Sequence, residues 1–171
     1  MDEIIIRPAE ERDAAELAEV HVHAWQYAYR GIMSDDILDN LSVEQRTKRW
    51  HSILTNPDNA AQSFVAEHAG KVIGFCSVGP SRDEDIDKHH GELWALNVDP
   101  KEMNHGAGSA LLQKGLAYLR EQGYTAATLW VVTENAKSRK WYKKRGWRVE
   151  GKEKVNEGHE GVHETRYIIT L

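Results

Sequence analysis

Three rhythms of apolar and polar positions run along this chain, and each predicts an element. "EIIIRPA" is a short β-branched run stopped by Pro8, so a first strand is expected there. From Glu10 to about Arg30, Ala14, Leu17, Ala18, Val20, His21, Ala24 and Trp25 recur at helical spacing. "RGIMSDD" breaks that repeat, and Ser34 can cap a second helix over 35–54. "QSFVAEHAGKVIGFCSVG" reads as a hairpin, with strands at 63–68 and 71–79 and a turn at Ala69-Gly70. After the polar stretch "SRDEDIDKHH", "GELWALNV" is a strand over 91–98 that Pro100 closes. A helix over 106–122 ends at Gly123, and "YTAATLWVV" is apolar enough for a buried central strand. Thr133 or Asn135 opens a helix that runs to Arg145, and "WRVEGKEKV" and "HETRYIITL" are the last two strands.

The predicted order is β-αα-βββ-α-β-α-ββ, a mixed α/β (α+β) sheet in one domain spanning 1–171. Composition narrows the class. With 40% hydrophobic residues the chain can bury a sizeable core. A net charge of −5 argues against a general nucleic-acid binder and favours a cationic small partner. Cys76 is the single cysteine, so no internal disulfide can form, as in a reducing cytosol. The acidic N-terminus lacks the apolar run of a signal peptide, and no apolar stretch approaches the ~20 residues of a membrane span. A cytoplasmic protein without a membrane partner is the expectation.

The first chemical signal is "KEMNHGAGSALL" (101–112). It follows a strand and places Gly106 and Gly108 at the mouth of a helix, where glycine costs about 1 kcal/mol relative to alanine. First-turn N–H groups have no intrahelical partner, and the helix dipole adds partial positive charge there. Asn104, His105, Gly106, Ala107, Gly108 and Ser109 could therefore cradle a diphosphate. A P-loop is excluded, because Gly108 is followed by Ser109-Ala110 and not by Lys-Ser or Lys-Thr. A dinucleotide fingerprint would need a third glycine where Leu111 stands. A tight strand-to-helix turn without a ligand explains the glycine pair alone equally well.

The second signal is "VTENAKSRKWYKKRGW" (132–147). Helical spacing puts Asn135, Ser138 and Tyr142 on one face, one strand and one turn after the glycines. In this order and separation, "LNVDPKEMNHGAGSALL" and "NAKSRKWYKKRGW" resemble the cofactor segments of the GCN5-related N-acetyltransferase (GNAT) family, and the resemblance extends over nearly the whole chain. Met103 stands where the family usually has Gln or Arg, Asn104 where Gly is frequent, and His105 where Arg or Lys is frequent. Ser138 and Trp141 replace Ala and Phe.

The resemblance implies an acyl-CoA N-acyltransferase fold, acetyl-CoA as co-substrate, no metal, and direct transfer to a primary amine. It implies main-chain pairing of pantetheine with Leu96, Asn97 and Val98, and an oxyanion donor at the Val98 amide. Diphosphate contacts would fall on Met103 to Ser109, further cofactor contacts on Asn135 and Ser138, and the role of general acid on Tyr142. Strand alternation puts Glu92, Trp94, Leu96 and Val98 on one face, which makes Glu92 the candidate base, with Asp87, His89 and His90 as alternatives. Trp25, Tyr27, Tyr29 and Trp50 would be core or would wall the acceptor pocket, with Asp35 and Asp36 attracting a cationic amine.

Two other motifs carry less. "HEGVH" (159–163) matches a zinc pattern that needs a helix, and the flanking Gly158 and Gly161 deny it one. Lys137 to Arg148 holds seven basic residues in twelve, as a solvated helix face does, with some available to CoA phosphates. The function expected is acetyl transfer to a polyamine-, aminoglycoside- or amino-acid-like amine. The alternatives are acetylation of a protein N-terminus or lysine and a non-catalytic acyl-CoA-binding module. A homodimer and a monomer are equally compatible with the chain.

Overall fold

The computed structural model describes residues 3–171. Its strands are β1 (Ile5–Pro8), β2 (Gln62–His68), β3 (Lys71–Pro80), β4 (His90–Val98), β5 (Ala126–Val132), β6 (Arg148–Asn156) and β7 (Val162–Thr170). The helices are α1 (Ala14–Tyr29), α2 (Asp35–Asp39), α3 (Val43–Thr55), α4 (Ala107–Glu121) and α5 (Ala136–Lys144). All seven strands form one sheet in the order β1-β2-β3-β4-β5-β7-β6. Every neighbouring pair is antiparallel except β4 and β5. This is the mixed α/β order expected from the pattern.

Local chemistry explains most boundaries. Ala69 and Gly70 both have positive φ, 51° and 78°, the geometry of a tight hairpin turn between β2 and β3. The single helix expected over 35–54 is in fact two. Asn40 donates its side-chain amide to the Asp36 carbonyl and ends α2, and Ser42 accepts from the Gln45 amide and starts α3. Ser34 caps α2 as expected, accepting from Ile37.

Two apolar layers sandwich the sheet. Leu111, Leu112, Leu116 and Leu119 of α4 are buried at helical spacing against Cys76, Val78, Leu93 and Leu129. Each such leucine contributes about 1.5–3 kcal/mol. On the other face α1 brings Leu17, Ala18 and Val20, and α3 brings Trp50, onto Val65, Val72 and Phe75. Trp50 meets Phe75 edge-on at 4.9 Å.

The sheet is not uniform. β3 pairs Ser77 with Ala95 and then Val78 with Leu93, so Trp94 is an extra residue, a β-bulge. β4 and β5 pair over only three positions, His90–Ala126, Gly91–Ala127 and Glu92–Thr128. Beyond Glu92 the two strands part, while β5 stays paired to β7 along its whole length.

A second device ties the 81–89 loop to the far strands. Arg166 on β7 is 2% exposed and meets Asp83, Asp85 and Glu150 at 2.8–3.3 Å. The Arg166 guanidinium holds the Asp85 and Glu150 carboxyls below their ordinary range. The stability these pairs supply is therefore complete above about pH 5 and fades as acid protonates them. Arg166→Met leaves three carboxylates facing one another and is expected to cost about 3 kcal/mol in urea denaturation at pH 7. The gap between variant and native protein should narrow below about pH 4. An equal gap at both pH values would show that Arg166 acts by packing alone.

Candidate active site

The parted strands leave backbone groups to be satisfied. Asp99 donates its amide to the Ile73 carbonyl at 2.8 Å, which sets the phase of the β3–β4 ladder. In an antiparallel ladder alternate residues turn their N–H and C=O groups to opposite edges. Ala95, Asn97 and Asp99 therefore face β3, and Leu96 and Val98 direct theirs into the gap beside β5. The gap opens into a cavity of about 500 Å³ lined by Leu96, Asn97, Val98, Met103, Asn135, Ser138 and Tyr142 among others.

At one end stands the start of α4. Gly106 is its N-terminal cap residue with φ 87°, and Asn104 before it has φ 69°. Serine or asparagine side chains cap α2, α3 and α5, but Gly106 has none to offer, so the first-turn amides of α4 remain free. The two glycines differ in purpose. Gly106 supplies the left-handed backbone in open space. Gly108 supplies closeness, since a Cβ there would lie 3.3 Å from Trp141 Cζ2. Arg145 lies 3.7 Å over the Trp141 ring and donates to Ser109 Oγ at 2.9 and 3.1 Å, which sets a cation beside the same helix end.

Helix α5 forms one wall. Asn135 is its cap, with Oδ1 accepting from the Ser138 amide at 3.2 Å. Thr133, the other helix start that the sequence allows, instead pairs its hydroxyl with that of Thr165 at 2.7 Å. Tyr142 packs edge-on to Trp141 and Trp147 at 5.1 and 5.9 Å between ring centres. Burial, together with Tyr29 and Cys76, holds the Tyr142 phenol well above its ordinary pKa, so it is protonated at neutral pH. Tyr29, also on the cavity wall, is pushed up to about 12 by burial and by the charge of Glu164.

The opposite end is walled by α1, α3, Arg82, Trp94, Trp130, His159 and Glu164. Glu92 is absent from that wall. The Trp94 bulge reverses the side-chain alternation, so Glu92 shares a face with the cavity-lining Ala95 and Asn97, not with Leu96 and Val98 as unbroken alternation required, and its contacts with Arg82 keep it from the wall. Its carboxylate is 1% exposed and accepts from the Arg82 amide at 2.9 Å and from Nη2 at 2.6 Å. Asp35 and Asp36 are also absent from the wall, and Asp35 and Asp39 pair with Arg30. The carboxylate that does line the cavity is Glu164, whose Oε1 accepts from Asn156 Nδ2 at 2.7 Å.

His159 of "HEGVH" sits on a 3-10 turn with its ring edge-on to Trp25 at 4.7 Å, and His163 lies on β7. No three His, Cys, Asp or Glu side chains among the described residues converge as metal ligands. Nor is any helix among them long and apolar enough to cross a membrane. "HEGVH" pointed to zinc and not to this cavity, and nothing in the sequence pointed to Glu164, because their place on the wall depends on the β6–β7 turn lying against α1.

The chain matches the Acetyltransferase (GNAT) family over residues 14–147, and it belongs to that family. The N-acetyltransferase YuaI of Bacillus subtilis is 33% identical over 133 residues, 77% of this chain and 73% of that protein. A mycothiol acetyltransferase of Thermobispora bispora is 35% identical over 85 residues, 49% of this chain but only 29% of that protein. Among solved structures, the PaiA N-acetyltransferase of Thermoplasma acidophilum in complex with coenzyme A superposes with a TM-score of 0.79 at 20% identity, covering 99% of both chains.

Gly106→Ala forces a side chain into the left-handed region and is expected to cost about 1–2 kcal/mol in urea denaturation. Gly106→Asn should recover part of that loss, because asparagine tolerates this conformation. Equal losses for Ala and Asn would show that crowding, not backbone conformation, selects glycine.

Proposed function

We propose that this protein transfers the acetyl group of acetyl-CoA directly to the primary amine of a small molecule. The free edge of β4 at Leu96–Val98, running to the uncapped start of α4, carries the reading. An extended pantetheine arm can add to that edge as a strand, and its diphosphate then meets the α4 amides. Arg145 adds a cation at the same end. Met103 lines the cavity with an apolar side chain, so phosphate contact there falls to the backbone.

Each step has a group to serve it. The acceptor ammonium gives a proton to Glu164, directly or through water, and its nitrogen attacks the thioester carbonyl carbon. The Val98 N–H donates to the oxyanion that forms. Collapse breaks the C–S bond, Tyr142 protonates the departing thiolate, and the second proton of the nitrogen passes to the Tyr142 phenolate, directly or through water, leaving an N-acetylamine and a free thiol. We assign the base to Glu164 and not to Glu92, whose carboxylate is occupied by Arg82. Glu92 then fixes Arg82 against the Trp94 ring, which it overlies at 4.4 Å.

The test is thiol release from acetyl-CoA with a panel of amines. Tyr142→Phe is expected to lower kcat about a hundredfold while leaving the acetyl-CoA Kd within about twofold. An unchanged kcat would remove Tyr142 as the acid. Because its phenol stays protonated, native kcat should show no descending limb up to about pH 9.

A further inference from the structure

The acceptor end of the cavity has an unbalanced charge. Arg46 and Arg49 stand one turn apart on α3 and both line the cavity. They also line a shallower depression formed by Asn40, Leu41, Ser42 and Gln45, so they stand between the two spaces. Neighbouring cations have partners. Arg82 pairs with Glu92, Arg30 with Asp35 and Asp39, and Lys48 with Glu44. Arg46 and Arg49 have no carboxylate within ion-pair distance among the described residues. Glu164, on the same wall, is engaged by Asn156.

Like charges one turn apart repel, and Arg46 is half-buried, where an unpaired charge is costly. The surroundings suit a ligand. Arg46 lies 5.7 Å from the Trp25 ring centre, and His159 closes on the same ring. Both nitrogens of His21, another wall residue, are buried without any partner. Unmet hydrogen-bonding groups beside two unpaired guanidinium groups call for an anionic, hydrogen-bonding ligand.

We infer that the acceptor is an amine that also carries an anionic group, a carboxylate or a phosphate ester, held by Arg46 and Arg49 while its amine reaches the thioester. This selects the amino-acid-like class over polyamines and aminoglycosides, and it rests on the acetyltransferase reading. Guanidinium groups suit both anions, because their paired N–H donors match two oxygens at once. The Trp25 face gives the body of such a molecule an apolar surface.

The experiment compares matched amines at saturating acetyl-CoA, with acetyl-CoA binding measured in parallel by calorimetry. The pairs are phenylalanine with phenethylamine and O-phosphoethanolamine with ethanolamine, with spermidine as the cationic case. In at least one pair the member that carries the anionic group should have a kcat/KM at least about tenfold above the member that lacks it. The pair that shows it tells carboxylate from phosphate. Arg46→Gln with Arg49→Gln keeps the helix and a polar side chain but removes both charges, and should bring that ratio to within about twofold by raising KM. Arg46→Glu with Arg49→Glu should turn the preference toward spermidine. Hydrocinnamate, the acid without the amine, should compete with the amine in the native protein and not in the Gln variant if the anion is a carboxylate. Acetylation of the amines without an anionic group as fast as those with one overturns this inference and leaves the acetyltransferase reading standing. Failure to bind acetyl-CoA or to acetylate any amine overturns both.

Discussion

Two neighbouring strands that begin as partners and then separate determine the rest of this structure. β4 and β5 share three residue pairs and part at Glu92, next to the bulge at Trp94. A bulge adds a residue to one strand, bends it and increases its local twist, and here it turns β4 away from β5. Backbone N–H and C=O groups in a buried setting must find partners, so the parted edges form a slot already equipped to bind another extended chain. The helices answer to the same geometry: α4 begins at the far end of β4 and α5 at the far end of β5, so their starts flank the slot.

The walls of the slot hold charge in an unusual distribution. Two tyrosines stay protonated, Tyr29 and Tyr142, and burial with the charges of Arg46 and Arg49 pushes the His21 imidazole down to about 3. His159 is likewise lowered by burial, so it too favours its neutral form. Protonated phenols and neutral imidazoles offer hydrogen bonds without adding net charge, which suits a reaction whose charge appears and disappears on the carbonyl oxygen. The net charge of the wall then lies with Glu164 on one side and Arg46 and Arg49 on the other. The chain as a whole carries −5, opposite in sign to the Arg46–Arg49 end of the cavity.

Much of this was legible along the chain, and the part that was not has a common cause. Strand runs, helical repeats, the Ala69-Gly70 turn and the Ser34 and Asn135 caps are local, and each folded as its neighbours in sequence dictated. Apolar spacing predicts one helix over 35–54, but Asn40 ends α2 by bonding backward, which that spacing does not record. Unbroken alternation places Glu92 with Leu96 and Val98, yet the bulge that reverses it is set by pairing with β3, a strand more than ten residues earlier. Arg46, Arg49, His21, His159 and Glu164 meet only because α1, α3 and the β6–β7 turn converge on the open end of the sheet. No spacing along the chain could announce that.

By itself, then, the sequence determined the order of elements, the glycine turn after β4, and the placing of Asn135, Ser138 and Tyr142 on one helix. These follow from torsional preference and periodicity, which act over a few residues. The tertiary structure alone decided which edge of β4 is free, which carboxylate reaches the cavity and what charge lines its open end. Those depend on sheet register and on contacts between distant segments, where a one-residue slip moves a side chain to the opposite face.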